Sequence, residues 1–229
     1  MKNKPVVNLR EFRFSKLNDP QFAHLKYLAG WIFYFTMYFL TENLIPAERL
    51  HLIHSPLDDL IPFCEYFVVV YCFWYAFVFF SLLHYGIYDP ELFKKLQTFI
   101  IITQVVAMAV YIIYPSVQDL RPTVFENPNF FTKVIAFIYS FDTPTGIFPS
   151  LHVAYSLGIM STALKDRNAR TGMKIFAVVA TVVISASTLF VKQHSIHDIW
   201  SALLLGLLAE ILTFGKSYWL PRLKKSTNS

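Results

Sequence analysis

Three separated stretches carry the side chains best suited to chemistry: VQDLRPTVF around Arg121, TGIFPSLHVAYS around Ser150 and His152, and FVKQHSIHDIW around Lys192, His194 and Asp198. His194 and Asp198 stand four apart, which puts them on one face if that stretch is helical. A carboxylate beside an imidazole keeps one ring nitrogen protonated and leaves the other as a nucleophile. His197 offers a competing imidazole, but on a different face. Pro149 suits the first turn of a helix, where its missing N–H is not needed. The free N–H groups of such a helix start bind anions, phosphate above all. Ser150 adds a hydroxyl there, and His152 falls in the first turn. Arg121 brings a planar fork that matches two phosphate oxygens, and Lys192 a less specific point charge. Each residue also has a plainer reading: a helix cap, an interfacial histidine with one hydrogen bond, or a loop ion pair of Arg121 with Asp119 or Glu126.

The elements that must position these residues are apolar. The chain has 229 residues, 55% of them hydrophobic and 15% charged, against about 25% charged in a soluble domain. Mean hydropathy is +0.45, and aromatics reach 17%, which suits lipid-facing and interfacial surfaces. The apolar runs are continuous, which favours helices over a barrel. Six segments of roughly membrane-spanning length stand out: Tyr27–Ile45, Pro62–His84, Leu96–Tyr114, Pro149–Leu164 (the shortest), Gly172–Val191 and Asp198–Trp219. The expected fold is all-α, a polytopic six-transmembrane-helix bundle. Residues 1–26 form a cytoplasmic or interfacial segment, 27–219 the membrane domain and 220–229 a basic cytoplasmic tail. The first apolar stretch lies behind a polar segment and lacks a small-residue cleavage pattern, so it reads as an anchor rather than a leader.

With the N-terminus inside, all of the 20 Lys and Arg except Arg49, Arg121, Lys133 and Lys192 fall on the inner side. This bias places both termini in the cytoplasm and the three chemical stretches outside. Basic residues kept outside are exempt from the topological rule, so Arg121 and Lys192 are expected to have local work. The net charge of +5 is explained by topology and anionic headgroups, and nucleic acid is not an expected partner. Cys64 and Cys72 sit about 12 Å apart on one expected helix, too far to bridge.

The order of motifs, an RP dipeptide, then PSLH, then HxxxD after the fifth segment, resembles the type-2 phosphatidic acid phosphatase superfamily of six-helix membrane lipid phosphatases and phosphotransferases. The resemblance covers roughly Tyr114 to Ala202. It implies His194 as the nucleophile that forms a phosphohistidine, Asp198 as its orienting group and His152 as general acid for the leaving oxygen. Arg121 and the Ser150 region would bind phosphate oxygens, and neither metal nor other cofactor is implied. The family's first motif opens with a lysine where this chain has Tyr114, and its third has an arginine where this chain has Thr188. Lys192 is the candidate replacement for one of these cations. The reduced pattern, with FPSLH and KQH, is closer to the inositol-phosphorylceramide-synthase and sphingomyelin-synthase branch, which moves phospho-headgroups between lipids. The implied partners are a membrane lipid substrate and an alcohol or lipid acceptor. The implied location is the plasma membrane, with the site on the extracytoplasmic side.

Two other readings come from the residues. The HLIH pair (His51, His54) and the HSIH pair (His194, His197) could together ligate zinc. Glu65, Gln104 and Glu210, in or near apolar segments, could mark a transport pathway or simply bond helix to helix. His24 and His84 are expected at the interface, and Asp58 and Asp59 as caps of the second segment or headgroup contacts.

Overall fold

In the computed structural model, which describes residues 5–226, helix dominates. Lys2, Lys4 and the last residues of the tail, Thr227–Ser229, lie outside the described residues. The helices are α1 (Ala29–Leu44), α2 (Pro56–Asp59), α3 (Val68–Tyr88), α4 (Pro90–Ile113), α5 (Phe130–Phe141), α6 (Leu151–Lys165), α7 (Thr171–Phe190), α8 (Ile196–Phe214) and α9 (Leu220–Ser226). Among the described residues, four helical stretches are long and apolar enough to cross a membrane: Glu65–Tyr88, Pro90–Ile113, Thr171–Phe190 and Ile196–Lys224. The chain is thus a mostly helical membrane protein. The first and fourth expected segments give α1, with 16 residues, and α6, with 15. At 1.5 Å per residue each helix falls short of the ~30 Å hydrocarbon core.

Several segment boundaries move for local reasons. The second helix begins later than Pro62, because a 3-10 turn at Glu65–Phe67 precedes α3. Cys64 therefore lies outside the helix that holds Cys72, and both cysteines are free. The third begins earlier, at Pro90, because Asp89 caps it by accepting from Leu92 N at 3.0 Å. Pro149 is not in the first turn of α6. It precedes the N-cap residue Ser150, and its peptide bond to Phe148 is cis. The last segment runs from α8 through one π-helical turn at Gly215–Trp219 into α9. The N-terminal segment folds as 3-10 turns rather than an α-helix. His24, expected at the interface, is buried, with Nε2 2.9 Å from Gly86 O.

α6 is central. It packs on α3, α4, α7 and α8, and Val153, Ala154, Tyr155 and Ile159 are buried in the main core with Leu96, Ile100, Ile184 and Ala202. Its crossing with α4 is close enough to require Gly158, where an added Cβ would lie 2.7 Å from the Phe99 ring. Burial of most of its surface explains how a short helix with hydroxyls can sit mid-bundle: Thr162 Oγ1 donates to Gly158 O at 2.8 Å, and Thr181 Oγ1 to Ser156 O at 3.0 Å. Groups shielded from lipid must satisfy one another.

Three loops gather at one end of the bundle. β1 (His51–Leu52) pairs in parallel with β2 (Ser116–Val117), with His51 opposite Ser116. Val117 also bridges Thr145. Gly146 turns the chain here at φ 58°, a left-handed value that glycine adopts without a Cβ penalty. Its N–H donates to Ser116 O at 2.9 Å. The connections after α1, after α4 and before α6 are thereby tied together where α6 and α8 begin.

Candidate active site

The site is built on the first turn of α8. Ser195 is the N-cap: its Oγ accepts from His197 N at 3.2 Å, and Asp198 Oδ2 accepts from Ser195 N at 2.9 Å. This reciprocal box satisfies two otherwise unpaired N–H groups. The same Asp198 oxygen lies 3.0 Å from His194 Nδ1. The expected His194–Asp198 contact therefore exists, but not along a helix face. His194 stands in the loop just before the cap, and the carboxylate reaches back to cap and imidazole together. With Nδ1–H donating to Asp198, His194 Nε2 carries the lone pair.

That nitrogen faces His152. The distance from His194 Nε2 to His152 Nδ1 is 3.4 Å, and the ring planes meet at 65°. His152 is fixed by the rings of Trp74 and Tyr71, centred 4.2 and 4.7 Å from it. Ser150 N donates to Asp198 O at 3.2 Å, which joins the start of α6 to that of α8. Tyr111 Oη donates to Pro149 O at 2.8 Å and holds the same turn from α4. Two nitrogens 3.4 Å apart leave no room for a phosphorus atom between them, so one ring must turn aside to admit one.

Arg121 is tied to Gln193, the residue preceding His194. Its Nη2 donates to Thr143 O at 3.0 Å and to the side-chain oxygen of Gln193, and its guanidinium lies 4.3 Å over the Tyr139 ring. Burial lowers its pKa, against the pull of Asp142, and it stays cationic. Neither Asp119 nor Glu126 is its ion-pair partner. Arg121 Nε, Ser150 Oγ and His152 Nε2 are buried without a hydrogen-bond partner among the described residues.

Lys192 does not join the site. Its Nζ donates to Asp58 O at 2.9 Å and to Ile61 O at 2.5 Å, so the ammonium is spent on the carbonyls of α2 and the turn after it. Desolvation lowers its pKa while Asp58 and Asp59 raise it. It occupies φ 53°, a left-handed backbone uncommon for a side chain of this size. Lysine here is a clasp rather than a replacement for the missing cations. Of the positions where those cations would stand, Tyr114 stacks on His51 with ring centres 4.3 Å apart. Thr188 Oγ1 donates to Ser185 O at 2.8 Å in its own helix.

Sequence reasoning missed Asp142 and Glu42 as site residues, and gave Asp58 only as a cap or a headgroup contact. Asp58 is 1% exposed. It accepts from Ser195 Oγ at 2.6 Å, Ile196 N at 2.8 Å and Ser55 N at 2.8 Å. It does not cap the second apolar segment, as one reading expected: it completes the capping box of the short helix α2, and it also pins the loop that carries His194. Asp142 accepts from Tyr71 Oη at 3.0 Å, Gln193 Nε2 at 3.1 Å and Tyr38 Oη at 3.3 Å. Glu42 accepts from the hydroxyls of Thr143 and Thr145. The signal for Asp142 and Asp58 was the density of hydroxyls and carboxylates in DTPTG and SPLDD, which resembles turn chemistry; Glu42, near the end of the first apolar segment, had none.

His152 and His194, with Asp142, Thr143 and Gln193, line a cavity of about 560 Å³. Its remaining wall is mostly aromatic, from α1 (Trp31, Tyr34, Tyr38), α3 (Trp74, Tyr75) and α6 (Tyr155). From Tyr38 to Leu28 the lining extends ten residues, about 15 Å along the helix direction, ending near Leu82.

The other readings find less in the structure. His54 is held by Asp119 (2.9 Å) and Asp59 (3.2 Å), while His197 is exposed. Among the described residues no group of three or more His, Cys, Asp or Glu side chains could hold a metal. Glu210 pairs with Lys165 at 2.6 Å and accepts from Ser161 and from Trp219 Nε1. Glu65 accepts from Asn129 Nδ2 at 2.9 Å. Both bind helix to helix. Gln104 is buried in α4.

No protein-family model, no curated protein and no solved structure matches the chain.

Proposed function

We propose that this chain is an integral-membrane lipid phosphatase or phosphotransferase of the type-2 phosphatidic acid phosphatase kind, working through a phosphohistidine on His194. The observation that carries the reading is the buried line Asp198–His194–His152 (3.0 and 3.4 Å) at the head of an aromatic cavity. The nucleophile is oriented by a carboxylate, and a second imidazole stands beside it.

In the first step His194 Nε2 attacks phosphorus and the P–O bond to the lipid breaks. The leaving oxygen takes a proton from His152. In the second step water or an alcohol gives its proton to His152 and its oxygen attacks the phosphorus. The N–P bond then breaks and both imidazoles are restored. Arg121 Nε and Ser150 Oγ, buried without a hydrogen-bond partner among the described residues, are the donors this reading assigns to the phosphoryl oxygens. Phosphoryl transfer rests on such positioning and charge stabilisation. The apolar reach of the cavity, along α1 and α3 to Leu28 and Leu82, suits a lipid chain.

Six helices cross the membrane in this reading. A 3-10 segment, Ala23–Leu28, continues into α1. At about 2 Å and 1.5 Å per residue the two together exceed the ~30 Å core. α6 is short but enclosed by its neighbours. The charge bias supports both termini in the cytoplasm and the histidines on the outer side, and the plasma membrane is the location this reading proposes. Headgroup transfer is the second reading, favoured by Tyr114 and Thr188 standing where simple phosphatases carry cations.

The test is purified protein incubated with labelled lipid phosphates and phosphodiesters, with and without an acceptor alcohol. Free phosphate supports a phosphatase and a new phosphodiester lipid a transferase. No turnover of any lipid, or equal turnover by His194→Ala, contradicts both.

A further inference from the structure

A second cavity, of about 390 Å³, lies between α3, α6 and α7. α3 separates it from the cavity of the histidines: Trp74, Tyr75 and Val78 line that one, and Phe73, Phe77 and Ser81 line this one. Its wall is mostly apolar. Phe80 and Phe176, both in that wall, are 62% and 53% exposed, so the groove opens sideways, onto lipid in a membrane-spanning bundle. From Phe73 to His84 it runs along α3 for about 16 Å, close to half of the ~30 Å hydrocarbon core. That is the depth of one leaflet.

Its polar groups gather at one end. His84 and Tyr85 lie near the end of α3, and Met173 in the first turn of α7. Tyr85 is 3% exposed, and its hydroxyl makes no hydrogen bond among the described residues. Arg170 is the N-cap residue of α7, one turn before Met173 and Lys174, and no side chain caps that helix. Arg167, Arg170 and Lys174 make neither an ion pair nor a side-chain hydrogen bond among the described residues. The carboxylates on this side are already engaged: Asp166 accepts from Asn168 N at 2.7 Å, Asp89 caps α4 and Glu91 pairs with Lys94. Cations without a counter-charge, at the polar end of an apolar groove one leaflet deep, match an anionic headgroup above its own acyl chain. An uncharged or zwitterionic lipid would fill the groove and leave those cations unanswered.

We propose that this groove is a binding site for an anionic phospholipid, separate from the cavity of the histidines. One acyl chain lies along α3 and α7, the phosphate lies at Arg170 and Lys174, and His84 and Tyr85 are donors to the ester region beneath it.

The experiment uses the full chain carrying His194→Ala, so that no lipid is consumed, in phosphatidylcholine nanodiscs. Phosphatidylglycerol or phosphatidylcholine with a diazirine in one acyl chain is added in trace amount, cross-linked by light and mapped by mass spectrometry. The expected result is label from phosphatidylglycerol on residues 73–84 of α3 and 173–177 of α7, about tenfold above that from phosphatidylcholine. Arg170→Gln with Lys174→Gln brings the two lipids to parity there. Lys216→Gln, in the turn after α8 and outside the groove, leaves the preference intact. Equal labelling by the two lipids overturns the proposal, as does label confined to the cavity of His152 and His194, or an undiminished preference in the double variant. The map and the preference of the parent chain are decisive if the double variant fails to fold. These outcomes are the same whether or not the unsubstituted protein transfers phosphoryl groups, so this inference and the proposed function fail separately.

Discussion

At the scale of residues, the account divides labour among three side chains that the fold presses together. His194 owes its orientation to Asp198, and the same carboxylate oxygen closes the helix cap at Ser195 N. Asp198→Asn should therefore cost twice. Turnover falls by about 10²–10⁴-fold because the imidazole loses its charged partner, and stability falls by ~1 kcal/mol with the weakened cap. Chemical denaturation and kcat on the same preparation check both. His152→Ala should slow turnover by a similar factor while leaving substrate binding within a few-fold, because the group acts on the leaving oxygen. Attack needs His194 neutral and protonation of the leaving oxygen needs His152 protonated, so kcat should trace a bell against pH. A flat profile across pH 5–8, with chemistry rate-limiting, would contradict that pairing.

At the scale of elements, short pieces decide whether the long helices become a site. α2 is a four-residue helix, yet Asp58 holds Ser195 and Ile196 while Lys192 binds back to the α2 carbonyls. Removing Asp58 leaves buried donors unpaired, each worth about 1–3 kcal/mol. Asp58→Ala should lower the melting temperature and kcat together, with the shape of the pH profile unchanged. If α2 were a mere connector, neither would move. The neighbouring loop has its own pH dependence. Hydrogen bonds to Asp119 and then Asp59 raise the His54 pKa above its ordinary value of 6.5. A raised folded-state pKa gives stability that is fully present below the unfolded value and is lost as pH rises through the folded one. The stability gap between the protein and His54→Gln should therefore be widest below pH 6.5 and close at higher pH, as read by thermal unfolding across pH. These small parts also mark where the sequence was legible. The apolar runs located the long helices, and the spacing of PSLH, HxxxD and RP located the residues that converge. Lys192 misled because a charge in a loop says nothing about the direction of its side chain, and its ammonium turned towards carbonyls. α5 was missed inside a long connection because its 12 residues are too few for a span. Asp142 was missed because one carboxylate in a turn-forming DTPTG has no periodicity to betray it.

At the scale of the whole molecule, the arrangement is a bundle whose central helix is mostly covered by its neighbours and whose loop end gathers the histidines and the carboxylates around them. Topology is checked by replacing Cys64 and Cys72 and placing single cysteines at Thr123 or Asn168. A membrane-impermeant maleimide should label the first in intact cells and the second only after permeabilisation; the reverse pattern would move the histidines to the cytoplasmic side. In the proposed reading the histidine dyad, the carboxylates around it and the aromatic cavity serve one event, the bonding of phosphorus to His194. The most direct measurement is therefore to react the protein with lipid substrate labelled at phosphorus, quench in alkali and map the label by mass spectrometry. The account predicts an acid-labile, alkali-stable phosphoryl group on His194, absent from His194→Ala and accumulating in His152→Ala wherever the second step is slowed more than the first. Label on another residue, or full turnover with His194 replaced, would contradict it.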